Sequence, residues 1–217
     1  MRLLAGLFIC IMLVGAARVN AQDPPPRIGP FVVDLHATVP LFPNDSQALV
    51  DSRNPSWSLA DLPGRGWGGQ LGLHAYLLRW RALTVGVGGE VMVARASSPP
   101  PDVESPTRIA LDERIVSASP QLSFNFGTGH GWSYLSGGIG RSVWSLHEAG
   151  QLASSSDVEP LSMVNYGGGG RWFIKKHLAF SLDVRIYEIQ SGTPVPPLTV
   201  GSPRTRLLII GAGISLK

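Results

Sequence analysis

The feature that most constrains this chain is a long alternation of apolar and polar residues at period two. It is clearest over Leu178–Tyr187. One face there carries Leu178, Phe180, Leu182, Val184 and Ile186, and the other carries Ala179, Ser181, Asp183, Arg185 and Tyr187. Successive side chains of a strand point to opposite sides of a sheet, so this pattern predicts a strand with two unlike faces.

The same alternation can be followed through eight segments. They are 31–39, 67–78, 82–94, 115–126, 132–145, 163–174, 178–187 and 205–216. Most exceed the roughly 5–6 residues of a usual soluble strand and match the about 9–11 that a tilted membrane-crossing strand needs. After residue 21 no run of 18 apolar residues occurs, so a helical span is not expected.

The connections between these segments alternate in length. Short turns are predicted at 79–81, 127–131 and 175–177, and long loops at 40–66, 95–114, 146–162 and 188–204. The long stretches are rich in Pro, Ser, Asp and Gly, as loops are. Short periplasmic turns and long extracellular loops are typical of outer-membrane barrels. We therefore predict an all-β fold, an eight-stranded antiparallel up-and-down transmembrane β-barrel.

Charge distribution separates a membrane barrel from a soluble one. Charged residues make up 15% of the chain, against about 25% in soluble domains, and mean hydropathy is +0.14. We assign no charged residue to the apolar face of the strands. Six charged side chains are predicted to line the interior as a structural ion-pair network: Asp34, Glu90, Arg141, Arg171, Asp183 and Arg185. A narrow polar path through the same interior is the alternative interpretation.

Aromatic residues cluster at the predicted strand ends. Membrane barrels carry aromatic girdles at both lipid–water interfaces. We assign to such girdles Trp67, Trp80, Phe126, Trp132, Tyr134, Trp144 and Trp172.

The first 21 residues have the features of a secretory signal peptide. Arg2 precedes an apolar run from Leu3 to Ala17, and small residues precede candidate cleavage sites after Ala17 and after Ala21. The predicted organisation is a signal peptide at 1–21, a Pro-rich leader at 22–30 and a barrel domain at 31–217. Cys10 would be removed, and the mature chain would carry 16 basic and 15 acidic residues, so no nucleic-acid partner is expected.

Two stretches carry a family resemblance. They are Tyr134–Gly140, and Asn165–Phe173 continued by Lys175–His177 and Leu182–Arg185. The chain resembles the small outer-membrane barrels of Gram-negative bacteria, of the OmpA/OmpX type or the OmpW-like group. The resemblance implies location in the outer membrane and contact with lipopolysaccharide outside and phospholipid inside. It also implies assistance by barrel-insertion machinery, and the chain is expected to be a monomer. The aromatic residue that often ends such barrels is replaced by Lys217.

Candidate chemistry is sparse in this sequence. Ser145, His147 and Glu148 stand close together near a predicted strand end and are the only arrangement that favours a lipid hydrolase. The histidines are scattered, so no metal site and no cofactor are predicted. We therefore expect a non-enzymatic envelope protein with a structural or surface-interaction role. The alternatives are a narrow channel for small solutes or hydrophobic compounds and, second, the lipid hydrolase.

Overall fold

Eight long strands dominate the structure, a computed structural model that describes residues 27–101, 103–196 and 198–217. The predicted signal peptide, 1–21, lies outside the described residues, as does the leader up to residue 26. The strands are β1 (Phe31–Leu41), β2 (Trp67–Trp80), β3 (Leu83–Ser97), β4 (Leu111–Thr128), β5 (Gly131–Glu148), β6 (Pro160–Lys175), β7 (Leu178–Ile189) and β8 (Thr205–Leu216).

Each strand pairs antiparallel with its neighbours in the sequence, and β1 also pairs with β8, so the sheet closes into a barrel. The closing register sets Leu35 opposite Ile214 and Val39 opposite Ile210. Closure leaves no strand edge unpaired, which is the condition for a sheet to stand in lipid. The predicted fold, an eight-stranded antiparallel up-and-down barrel, is confirmed.

The two ends of the barrel differ. One end, the short-turn end, consists of the turns 81–82, 129–130 and 176–177 together with the start of β1 and the end of β8. At the other, the long-loop end, lie residues 42–66, 98–110, 149–159 and 190–204. The loop 42–66 contains a short helix, α1 (Gln47–Arg53). The Leu49 amide donates to the Ser46 hydroxyl at 3.3 Å and so caps the first turn of this helix.

Burial alternates along most of each strand, as the pleat requires. Apolar side chains such as Leu35, Val91, Leu122 and Leu182 are exposed on the outer face, while Asp34, Glu90 and Asp183 are buried inside. An outer apolar surface of this extent requires lipid or a protein partner around it. No helix among the described residues is long and apolar enough to cross a membrane.

Regular pairing is interrupted in the middle of the β4–β5 ladder. β4 pairs with β5 from Leu111 to Ala118 and again from Gln121, but Ser119 and Pro120 have no pairing residue on β5. Proline lacks the amide hydrogen that a ladder bond needs, which accounts for the break at this position. On the other side Pro120 pairs with Gly89 of β3, so that ladder continues.

Candidate functional site

The half of the interior nearest the short-turn end contains charged groups in direct contact. Arg171 on β6 donates from Nε and Nη2 to the two carboxylate oxygens of Asp34 on β1, at 2.8 and 2.5 Å. Ser215 on β8 donates to the same carboxylate at 2.5 Å. The Arg171 guanidinium also lies 3.9 Å from the ring centroid of Tyr134 on β5. Side chains from four strands are thus held together across the interior.

A second group of charges lies one layer closer to the long-loop end. Arg185 contacts Asp183 and Glu90, with its Nε 3.2 Å from each carboxylate. Gln70 and Tyr187 donate to Glu90, and Tyr134 donates to Asp183 at 2.6 Å. Since an isolated buried charge is very costly, this mutual pairing is what allows so many ionised groups inside one barrel.

Glycine on β6 makes room for this network. A Cβ placed on Gly169 would lie 2.8 Å from the Tyr134 hydroxyl oxygen, closer than carbon and oxygen normally approach. The Tyr134 hydroxyl passes this point to reach Asp183, the residue that pairs with Gly169 across the β6–β7 ladder. Gly169 therefore serves packing in the narrow interior.

Arg141 does not belong to the interior network, so the prediction for this residue is wrong. The structure places Asp34, Glu90, Arg171, Asp183 and Arg185 inside but Arg141 on the outer surface, donating to the carbonyl of Pro160 at 3.3 Å. Of the six predicted residues, three carboxylates and two guanidinium groups therefore face inward. The outer face is not free of charge, because Arg95, Arg114 and Arg206 also lie there near the long-loop end.

Strand β5, which carries Arg141, also explains the errors in the predicted aromatic girdle. Trp67, Trp80, Phe126 and Trp172 point outward, but Trp132, Tyr134 and Trp144 are buried inside the barrel, all on the even-numbered face of β5. Trp132 stacks on Phe173 with 5.0 Å between ring centroids, and Trp144 donates to Glu113 at 2.8 Å. These large rings fill the interior, and the face that carries Arg141 is turned outward as a result.

The half of the interior nearest the long-loop end is mainly apolar, with Glu113 as a buried carboxylate in it, and this was not predicted. Its core includes Met92, Ile115, Trp144, Leu146, Met163, Ile189 and Leu207. Helix α1 covers this core, with Leu49 and Val50 fully buried in it and Phe42, Trp57 and Leu62 beside them. The first long loop therefore seals the barrel mouth as a hydrophobic cap.

Buried polar contacts hold the cap in place. Arg53, the last residue of α1, donates to Asp157 at 2.9 Å and to the Trp144 carbonyl at 2.9 Å. Asp157 also accepts from the Leu146 amide at 2.7 Å. The pKa of Arg53 lies below its ordinary value because burial of the guanidinium outweighs the attraction of Asp157. An arginine nevertheless stays protonated, so the contact remains an ion pair.

Further contacts join the loops to one another. Asp61 accepts from the amide of Ile109 at 2.9 Å and from the Ser58 amide and hydroxyl. Burial raises the pKa of Asp61, but these three hydrogen bonds outweigh it and leave the pKa below its ordinary value. Glu159 accepts from the Thr193 amide and hydroxyl. The four loops therefore form a connected lid.

Arg53, Asp61 and Asp157 were not identified from the sequence, although a local signal was present. Ser58–Asp61 and Ser154–Asp157 both have the form S-x-x-D, and both form reciprocal capping boxes at short 3₁₀ turns. The signal predicts a local turn. It does not reveal the partners of these aspartates on other loops.

Ser145 and His147 lie on the outer face of β5 and are not joined to each other. The Ser145 hydroxyl donates to the Arg114 carbonyl at 3.4 Å, and Glu148 accepts from Trp57 and Gln151. Across residues 27–101, 103–196 and 198–217, no three His, Cys, Asp or Glu side chains are grouped as metal ligands would be.

Solved structures that are similar to the whole barrel include the following two. Against the crystal structure of Neisserial surface protein A (NspA), the TM-score is 0.53 at 16% identity, covering 87% of this chain and 97% of that chain. Against the outer membrane protein OprG from Pseudomonas aeruginosa, the TM-score is 0.50 at 11% identity, covering 89% and 98%. This chain has the fold of the small eight-stranded outer-membrane β-barrels. No protein-family model matches the sequence, and neither does any curated protein.

Proposed function

We propose that this chain is an integral outer-membrane barrel with a closed interior, which acts through its outer surface and its loops and carries out neither catalysis nor steady conduction. The observation that carries the proposal is that the interior is occupied along its whole length. From the short-turn end it contains a layer of stacked aromatic rings, the Asp34–Arg171 and Glu90–Arg185–Asp183 contacts, and the apolar core beneath α1.

A channel is the weaker candidate for a physical reason. An eight-stranded barrel is only wide enough for its own side chains. At the short-turn end the Lys217 ammonium group contacts the Gly129 carbonyl and lies 3.8 Å from the Phe173 ring centroid, which further fills that opening. A solute would have to displace both the aromatic layer and paired buried charges.

A surface role is favoured by apolar residues at the tips of the loops. Val103 and Leu152 are 98% and 96% exposed, and their loops are joined to the first loop by hydrogen bonds. Binding function commonly lies in loops that a rigid scaffold positions. The connected lid presents these two side chains on such a scaffold.

Planar-bilayer recording tests the closed interior. The refolded mature chain is expected to leave the bilayer current at the lipid baseline, with insertion verified by flotation of the protein with liposomes. Steady ohmic conductance from inserted protein would overturn the closed-interior proposal.

Labelling of intact cells tests the orientation. A Leu152→Cys variant, at a loop tip, is expected to react with a membrane-impermeant maleimide on intact Gram-negative cells. A Lys176→Cys variant, at a short turn, is expected to react only after lysis. The mature chain is predicted to contain no other cysteine, which keeps the comparison clean. Equal labelling of the two variants, or recovery of the protein in the periplasm, would refute the proposed topology.

A further inference from the structure

Two arginines stand directly opposite each other on the outer face of the barrel. Arg95 on β3 pairs with Arg114 on β4, and both side chains are exposed. Like charges directly opposite each other destabilise a sheet. Neither guanidinium forms an ion pair with any residue that the structure describes. The acid nearest in register on this face is Asp112, and its carboxylate accepts from Ser97 at 2.7 Å. The pair therefore concentrates positive charge that the chain itself does not neutralise.

The arginines border a groove in the outer surface. It has a volume of about 440 Å³ and is lined by Trp67, Gly68, Gly69, Val93, Ala94, Arg95 and Arg114. The Arg95 guanidinium lies 3.9 Å from the Trp67 ring centroid, which fixes its position over the groove. The lining is thus apolar on one side and cationic on the other, which suits an amphipathic molecule better than a free ion.

The depth of the pair in a membrane follows from the strand geometry. Arg114 precedes Phe126, an outward residue near the short-turn end, by twelve positions on β4. At about 3.3 Å per residue this is roughly 40 Å along the strand, or about 30 Å of height at a tilt near 40°. That height equals the hydrocarbon thickness of a typical bilayer. The arginines therefore reach the level of lipid headgroups on the long-loop side.

We propose that Arg95 and Arg114 bind the phosphate group of a phosphorylated lipid in the leaflet on the long-loop side, with an acyl chain lying along the groove beside Trp67 and Val93. A guanidinium presents its donors in a planar fork that matches phosphate oxygens. A phosphate between the two would also cancel their mutual repulsion. This inference rests on the proposed function, because it requires the outer face to stand in a membrane.

The test compares lipid retention by variants in detergent micelles, measured by native mass spectrometry during titration with diphosphoryl lipid A. The Arg95→Gln/Arg114→Gln variant is expected to lose affinity by tenfold or more. Arg141→Gln is the matched control, since Arg141 is also an outward arginine but already donates to the Pro160 carbonyl, and its affinity should be unchanged. Equal retention by the double variant and the parent protein would overturn the proposal.

Two further measurements distinguish a lipid site from a site for free phosphate and from a purely structural effect of the substitutions. Inorganic phosphate at millimolar concentration is expected not to displace lipid A, and full displacement would show a site for free phosphate instead. The thermal midpoint of the double variant should exceed that of the parent in neutral detergent, where repulsion is relieved, and fall below it with lipid A present. A midpoint that moves the same way in both conditions would contradict phosphate binding.

Heat-modifiable migration of every variant, with flotation in liposomes, tests insertion separately, so failure of the proposed function would be distinguished from failure of this site.

Discussion

An Asp34→Asn substitution tests the interior network at the contact between Asp34 and Arg171. The change keeps the shape of the side chain but leaves the Arg171 guanidinium, only 2% exposed, without its counter-charge. Asp34 accepts two hydrogen bonds from Arg171 and one from Ser215. Breaking a buried pair by removing one partner costs about 3–5 kcal/mol. Because the amide oxygen can still accept one of these bonds, we expect a loss of about 3 kcal/mol in the free energy of unfolding.

The assay is reversible urea unfolding of the barrel in phospholipid bilayers, followed by tryptophan fluorescence. Arg141→Gln is the control, because the sequence pattern assigns Arg141 to the same network but the structure places it outside. Its cost should stay within about 0.5 kcal/mol. An Asp34→Asn/Arg171→Met double variant should lose less than the sum of the two single variants, since it leaves no unpaired charge. If Asp34→Asn costs no more than Arg141→Gln, the reasoning about buried pairing is refuted.

Three other predictions concern the outer face and the lid. Leu182→Arg, on the outer face, should lower the free energy of unfolding in bilayers by about 2–4 kcal/mol if this position lies at mid-depth. Ser97→Arg, near the long-loop end, should lower it little, and equal losses for the two variants would contradict the face assignment. Arg53→Met should speed proteolysis within residues 42–66 by tenfold or more while the unfolding midpoint of the barrel changes little, because the lid can open locally. Unchanged proteolysis would show that the Arg53–Asp157 contact does not hold the lid closed. The pKa of Asp61 is lower in the folded protein than in the unfolded chain, so the stabilising effect of the ionised carboxylate is complete above the unfolded pKa of about 4 and is lost as pH falls through the folded pKa. The Ile109 amide resonance should therefore shift on acidification in the parent protein and not in Asp61→Asn.

The strands and their closure could be predicted because period-two alternation is a local property of the chain. Leu178–Tyr187 and the turn before it specify one strand with little reference to the rest of the molecule, and the structure has β7 at Leu178–Ile189. The face of a strand that meets lipid can also be predicted from local sequence where one face is plainly apolar.

Strand β5 shows where a local pattern fails. Both of its faces mix aromatic or aliphatic residues with small ones, so Arg141, the single charge in the predicted segment 132–145, favours the wrong face as the inner one. A long arginine side chain can remain on the outer face when its guanidinium reaches a polar group, here the Pro160 carbonyl. Volume decides the orientation instead, because Trp132 and Trp144 fill the interior.

The lid could not be predicted for a different reason. Arg53 and Asp157 are 104 positions apart, and nothing in either loop specifies the other. The apolar half of the interior was missed because it depends on the same long-range packing. Met92 and Ile115 face inward beneath α1, and a pattern within one strand cannot show that a distant loop covers them.

Two tryptophans at one depth can show directly whether the outer face of this barrel meets lipid while its interior is sealed. Trp172 on β6 and Trp132 on β5 lie one position apart in the β5–β6 register but on opposite sides of the wall, 51% and 3% exposed. Two variants, each retaining one of them with every other tryptophan replaced by phenylalanine, would be refolded into bilayers of brominated phosphatidylcholine. Heat-modifiable migration would verify that both fold. We expect strong quenching of Trp172 fluorescence and little quenching of Trp132 fluorescence. Equal quenching of the two, or stronger quenching of Trp132, would contradict it.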